Sequence, residues 1–244
     1  MSEGSLFFEG EGRVQKTLQR IARTLDELGI PYAVAGGMAL YAHGFHRFTD
    51  DVDILMTRDG LNRMHEELDG RGWTRPFSTS KNLRDAQTGV RIEFLVSGGF
   101  PGDGKPKPVQ FPDPASVAVE IAGIKYLSLP AFIELKLASG MTGENREKDF
   151  VDVREVVIAL QLPASFGERL NPYVQDRFAE LWKQAKVGKQ RFVLDVKNAG
   201  ASLDEMLAAG VVLEGDAHAA DARLVTSDPA LAKKYGMADE SETL

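Results

Sequence analysis

Two apolar runs constrain this chain more than any other feature. The first, Tyr32–Ala35, closes on Gly36-Gly37, and the second, through Ile54-Leu55, is entered by Asp51-Val52-Asp53. Thirteen residues separate Gly37 from Asp51. Side chains alternate along a strand with a period of two, so Asp51 and Asp53 share one face. Two carboxylates on one face concentrate negative charge, which a divalent cation offsets. An all-oxygen donor set favours Mg²⁺ or Mn²⁺.

The glycine pair supplies the other half of the pattern. A strand ending in Gly-Gly and turning into a helix, expected over Met38–Gly44, brings bare backbone N–H groups to a helix N-terminus, where phosphate is favoured. Phosphate beside a two-carboxylate metal site reads as nucleotide chemistry.

Composition narrows the classes. The chain has 244 residues and no cysteine, which excludes disulfides, thiolate metal sites and a cysteine nucleophile. A reducing cytoplasm is the natural compartment. Met1–Glu9 has no basic stretch before an apolar core, so no signal peptide is expected, and no run reaches the roughly 18 apolar residues of a membrane span. A net charge of −7 argues against a protein that coats nucleic acid over its whole surface. A local basic path from Lys81, Arg84, Arg91, Lys105 and Lys107 stays open.

Apolar spacing predicts a helix over Arg13–Leu28 and strands at Tyr32–Ala35 and Val52–Met56. Further along it predicts a helix near Asp59–Leu68, strands at 73–76, 83–86 and 89–96, and a hairpin at 117–129 turning on Ala122-Gly123. Ser97–Pro108, rich in Gly, Pro and Lys, reads as a mobile loop. Helices are expected at Ala131–Ala138 and Arg146–Leu160, separated by a break at Ser139–Gly143, and again through Phe166–Lys186. Beyond Gly188 a strand-like 191–196 and a helix at 202–207 precede a polar tail from Asp228.

Three further groups of residues bear on chemistry. Glu93 sits in the apolar strand Arg91-Ile-Glu-Phe-Leu; it either faces solvent or, if its strand lies beside Asp51-Val-Asp53, completes a three-carboxylate cluster able to hold two metal ions. Lys136 lies among Ile133, Leu135 and Leu137, so its charged end either snorkels to the surface or reaches phosphate. Arg146 and Lys148 open the next helix, within reach of phosphate. On that helix Asp149 and Asp152, three apart, either orient Lys136 or Arg146 or are surface positions. Arg47 holds an aspartate, contacts phosphate, or is solvated, and Thr49 is a strand-entry or capping residue. His43 and His46 lack a third partner and are structural or surface groups.

The order Gly36-Gly37, Arg47-Phe-Thr49-Asp-Asp51-Val-Asp53, Glu93, Lys136, then Arg146-Glu-Lys148-Asp149-Phe-Val-Asp152 resembles the nucleotidyltransferase superfamily of the DNA polymerase β type. More narrowly it is similar to AbiEii-like nucleotidyltransferases, whose members include toxins of type IV toxin–antitoxin systems. The resemblance covers about Arg13–Leu160. It implies an α+β nucleotidyltransferase fold, a mixed β-sheet flanked by helices. Together with the residue patterns beyond Leu160, which predict a mainly helical C-terminal part, the expected organisation is a core over residues 1–160, a helical extension over 161–227 and a flexible tail over 228–244.

The resemblance also implies transfer of a nucleoside monophosphate from an NTP to a hydroxyl acceptor. The acceptor is an RNA such as tRNA, a protein, or a small molecule of the antibiotic type, and a cognate antitoxin is a further partner; a non-catalytic member that binds a nucleotide or a partner is the remaining alternative. Asp51, Asp53 and Glu93 would hold Mg²⁺ or Mn²⁺ and, with Lys136, form the catalytic set. Gly36, Gly37, Arg47, Thr49, Lys136, Arg146, Asp149 and Asp152 would hold the nucleotide. One departure stands out: position 37, usually Ser or Thr in the family, is glycine, so a phosphate-facing hydroxyl is missing there.

Overall fold

A computed structural model describes residues 12–45, 49–144, 146–187, 192–199, 203–209, 211–214 and 223–239. The elements of the first part are α1 (Arg13–Glu27), β1 (Tyr32–Ala35), α2 (Gly36–Ala42), β2 (Asp51–Met56), α3 (Arg58–Leu68), β3 (Trp73–Thr74), β4 (Leu83–Asp85) and β5 (Arg91–Val96). They continue with α4 (Pro114–Val117), β6 (Ala118–Ile121), β7 (Ile124–Leu127), α5 (Leu129–Thr142), α6 (Glu147–Ala159) and α7 (Pro172–Val187). Beyond it lie β8 (Phe192–Asp195), α8 (Val196–Ala199), α9 (Leu203–Ala208), β9 (Val212–Glu214), β10 (Arg223–Thr226), α10 (Pro229–Tyr235) and β11 (Ala238–Asp239). The chain divides into two compact units, residues 1–178 and 179–244.

In the first unit seven strands form a mixed sheet in the order β3-β4-β5-β2-β1-β7-β6. β2 runs parallel to β5, and β1 parallel to β7, while the remaining neighbours are antiparallel. The three- and four-residue spacing of Val14, Leu18, Ile21 and Leu25 gives α1 one apolar stripe, and those four side chains are buried against the sheet. Leu61, Met64 and Leu68 of α3 join the same core, together with Tyr32, Val34, Val52, Ile54, Ile92 and Phe94 from the central strands. Thr57 caps α3 by accepting a hydrogen bond from Gly60 N at 3.0 Å.

Several local expectations are corrected. The break expected at Ser139–Gly143 is absent: α5 runs on to Thr142, whose hydroxyl donates to the Ala138 carbonyl at 2.8 Å. Gly140 is there for packing, since a Cβ on it would lie 2.7 Å from the Phe150 ring of α6. The Gly-rich segment after β5 is pinned rather than loose. Gly98 N donates to the Phe111 carbonyl at 2.8 Å, Phe111 N to the Gly99 carbonyl at 2.7 Å, and the buried Lys107 amine to the Pro101 carbonyl at 2.6 Å. Lys107 is therefore spent inside this loop and drops out of the basic path.

The second unit contains a four-stranded antiparallel sheet in the order β11-β8-β10-β9, around a small core of Met206, Val211, Leu224, Ala232 and Met237. Helices make up most of the described residues beyond Leu160, yet this sheet goes beyond the single strand read near 191–196. The stretch from Asp228, expected to be a polar tail, carries α10 and β11; Asp228 caps α10 by accepting from Ala230 N at 2.8 Å, and Gly236 ends it in the left-handed region. Among the described residues no helix is long and apolar enough to cross a membrane.

Candidate active site

β1 and β2 pair antiparallel with Ala35 opposite Asp53, so the turn after β1 is delivered onto the carboxylate pair. Gly36 takes φ +58° there, and a Cβ on it would sit 1.8 Å from Asp53 Oδ2. Both the backbone conformation and the space demand glycine. Gly37 is constrained differently. A Cβ on it would meet Thr49 Cβ at 2.8 Å and Thr49 Oγ1 at 3.1 Å, so threonine occupies the space beside Gly37 that a larger residue there would need. Thr49, almost fully buried, donates its hydroxyl to Asp51 Oδ1 at 2.8 Å. The helix begins at Gly36, two residues before the expected Met38.

On the other side, the parallel pairing of β2 with β5 sets Asp53 directly opposite Glu93 and Asp51 opposite Arg91. Asp51, Asp53 and Glu93 thus lie on adjacent strands, half-buried, while Val52, Ile92 and Phe94 are buried on the opposite face. Arg91 stands between two of the acids: its Nη2 is 3.3 Å from Asp51 Oδ2 and its Nε 3.1 Å from Glu93 Oε1. Glu93 and Asp51 hold the Arg91 guanidinium above its usual pKa. For Asp53 the balance runs the other way. Burial, followed by the charges of Asp51 and Glu93, pushes its pKa up to about 7, against the smaller pull of Lys136 and Arg91.

α5 and α6 close the site. Lys136 Nζ donates to Asp149 Oδ1 at 2.7 Å and lies 2.9 Å from Asp152 Oδ2, with both aspartates buried. Burial alone would lower the Lys136 pKa, but the two carboxylates outweigh it and hold the amine above its ordinary value. Arg146 is 4.0 Å from Asp149 Oδ2 with its side chain half exposed.

A cavity of about 410 Å³ gathers these parts, lined by Gly36, Gly37, Thr49, Asp51, Asp53, Lys136 and Asp152 among others. Leu40, Asp50, Phe132 and Lys148 complete the lining. Glu93, Asp149 and Arg146 do not line it: Glu93 stands one strand over, Asp149 supports Lys136 from behind, and Arg146 lies at the edge of that pair. Arg47 and His46 lie outside the described residues. His43 is structural, its Nε2 2.8 Å from the Leu127 carbonyl oxygen. Sequence reasoning passed over Asp50, whose acidity merged with the Asp51-Asp53 pair, and gave Arg91 no part in the carboxylate cluster. The basic residue two places before Glu93 on a strand was the available signal, since those two side chains share a face.

Among the described residues no three acidic or imidazole groups converge closely enough, as they stand, to hold a metal ion. The donor set nonetheless suits one. Three carboxylates on adjacent strands, an arginine bridging two of them and the raised pKa of the third all mark a face short of positive charge.

No family model matches the chain, and no curated protein matches it. Among solved structures it is similar to an H. pylori protein provisionally assigned as a nucleotidyltransferase, at 16% identity over 77% of this chain and 95% of that one, with a TM-score of 0.42. It is similar also to JHP933 from Helicobacter pylori, at 16% identity over 70% and 89%, with a TM-score of 0.40. A third is ANT(2")-Ia in complex with adenylyl-2"-tobramycin, at 14% identity over 71% and 97%, with a TM-score of 0.37. Likeness at this level assigns no function.

Proposed function

We propose that the chain is a metal-dependent nucleotidyltransferase that moves an NMP from an NTP to a hydroxyl acceptor. The observation that carries this reading is the contact between Gly36 and Asp53, which sets a backbone turn suited to phosphate against a carboxylate cluster suited to a divalent cation, with the Lys136 ammonium on the same cavity. The pattern Gly36-Gly37, Asp51-Val-Asp53, Lys136 and Asp152 also follows the order of the DNA polymerase β type superfamily.

Asp51, Asp53 and Glu93 would hold Mg²⁺ or Mn²⁺, with Arg91 giving way. When bound, the metal neutralises the triphosphate and lowers the pKa of the acceptor hydroxyl. The backbone N–H groups at Gly36 and Gly37 cradle phosphate oxygens. Thr49, beside Gly37, donates its one hydroxyl proton to Asp51 and so holds that carboxylate in place, leaving the backbone N–H groups to the phosphate. Lys136, kept charged by Asp149 and Asp152, pairs with the triphosphate, and Lys148 lines the same cavity. These groups position and neutralise, which is most of what phosphoryl transfer needs. Arg47 and Arg146 stay in the reading as further phosphate contacts. The AbiEii-like subtype, a toxin role with a cognate antitoxin and an RNA or protein acceptor follow from the resemblance, while the net charge of −7 favours a small-molecule acceptor and the cysteine-free sequence a cytoplasmic location.

The test is to incubate the purified chain with Mg²⁺, each α-labelled NTP, and total RNA or cell lysate, and to recover acid-stable label. Label on an acceptor supports transfer. Mg²⁺-dependent nucleotide binding with no label in any fraction supports the non-catalytic reading instead.

A further inference from the structure

A second cavity, about 340 Å³, opens beside the first, and Asp50 lines both. Its walls carry Arg13 from the first turn of α1, Arg84 from β4 and Arg91 from β5. Arg84 and Arg91 are opposite one another in the antiparallel β4–β5 pair, so their side chains leave the same face. Like charges placed opposite each other in a sheet are destabilising unless something compensates them. Arg91 has Asp51 and Glu93 for that purpose. Arg84 donates to a neutral group, the Gly89 carbonyl. Among the described residues that line the cavity, Asp50 is the sole carboxylate.

We infer that this cavity binds a phosphate group of the acceptor, and that Arg91 couples that binding to occupancy of the carboxylate cluster. The acceptor part rests on the proposed nucleotidyl transfer; the anion site itself does not. A guanidinium fork matches phosphate oxygens two at a time, and Arg84 and Arg91 leave one face of the sheet into this cavity. The coupling follows from sharing. Asp51 and Glu93, which neutralise Arg91, are the side chains assigned to the metal. A cation that takes them leaves Arg91 uncompensated beside Arg84, and phosphate is the partner that restores the balance. Linkage is reciprocal, so phosphate tightens metal binding by the same factor by which metal tightens phosphate binding. The same wall disfavours a polycationic acceptor.

The test uses the full chain and two probes: inorganic phosphate by calorimetry, and a short single-stranded RNA by fluorescence anisotropy, each with and without Mg²⁺. Both probes are expected to bind more tightly with Mg²⁺, and Arg84→Ala to weaken both about tenfold while the far-ultraviolet spectrum stays unchanged. Arg84→Lys, which keeps the charge and loses the fork, is expected to fall between. Affinity in Arg84→Ala equal to that of the unaltered chain overturns the site, and affinity independent of Mg²⁺ in the unaltered chain overturns the coupling. Binding of inorganic phosphate without RNA overturns the acceptor assignment. If NTP label transfer fails while Arg84-dependent phosphate binding persists, the nucleotidyl reading falls and the anion site stands.

Discussion

Gly36 and Asp53 compete for one volume: a methyl group on Gly36 would lie 1.8 Å from Asp53 Oδ2, in a backbone conformation that already favours glycine. Gly36→Ala is therefore expected to cost about 2 kcal/mol or more of stability, from left-handed strain together with displacement of a packed side chain. Mg²⁺ binding should be lost with it, because the side chain that moves is Asp53. Urea denaturation and Mg²⁺ calorimetry check both. An unchanged midpoint with unchanged Mg²⁺ affinity contradicts the contact.

Gly37 and Thr49 are coupled in the same way. Gly37→Ser brings its Cβ against Thr49, at 2.8 Å in the present geometry, and is expected to destabilise by about 1–3 kcal/mol. Alanine at position 49 would keep the Cβ at 2.8 Å, whereas Thr49→Gly removes the whole obstacle. The double variant of Gly37→Ser with Thr49→Gly should therefore recover most of that loss, and a double-mutant cycle should show coupling of at least about 1 kcal/mol. Simple additivity would mean the two residues do not share space. Nucleotide affinity offers a second readout, since Gly37→Ser in the double variant adds the hydroxyl that position 37 lacks.

The raised pKa of Asp53 fixes a direction for stability against pH. Its folded value of about 7 lies above the ordinary 3.8, so between these values the folded chain holds a proton that the unfolded chain has released. In metal-free buffer, stability from this group is lost as pH rises from about 4 to about 7, with a slope of no more than about 1.4 kcal/mol for each step of one in pH. Asp53→Asn abolishes this dependence and should be the more stable protein at pH 8. Urea midpoints at pH 5 and pH 8, with chelator present, measure it. An equal pH response in both proteins would contradict the role given to Asp53.

Lys136 compensates two buried carboxylates, Asp149 and Asp152, at 2.7 and 2.9 Å. Lys136→Met leaves both without their shared cation and is expected to cost about 3 kcal/mol at neutral pH, with part of the loss recovered by adding Asp149→Asn. A loss below about 0.5 kcal/mol would make Lys136 a snorkelling surface lysine, as an exposed ion pair contributes little.

Local periodicity carried much of this arrangement. The two-residue alternation of Asp51-Val52-Asp53 announced a shared face, and the α1 stripe from Val14 to Leu25 announced its buried side. Glu93 stayed open in the sequence because its meaning depends on a pairing between strands forty residues apart, which no local pattern encodes; the β2–β5 register sets it opposite Asp53. The same non-local pairing brought Arg91 onto Asp51. Ser139-Gly140 read as a helix break because glycine is a poor helix former, yet Phe150 needs the missing side chain, so packing overrode propensity. The sheet of the second unit was hardest to read because its strands span only two to four residues each.

The central claim is most directly tested by label transfer from α-labelled NTP to RNA or lysate acceptors in Mg²⁺, comparing the unaltered chain with Asp51→Ala and Asp53→Ala. Circular dichroism should first establish that both variants are folded. Transfer by the unaltered chain is expected, with a fall of at least about a hundredfold in each variant, since each removes a carboxylate that would hold the metal ion on which neutralisation of the developing negative charge depends. Full transfer by both variants would contradict the claim.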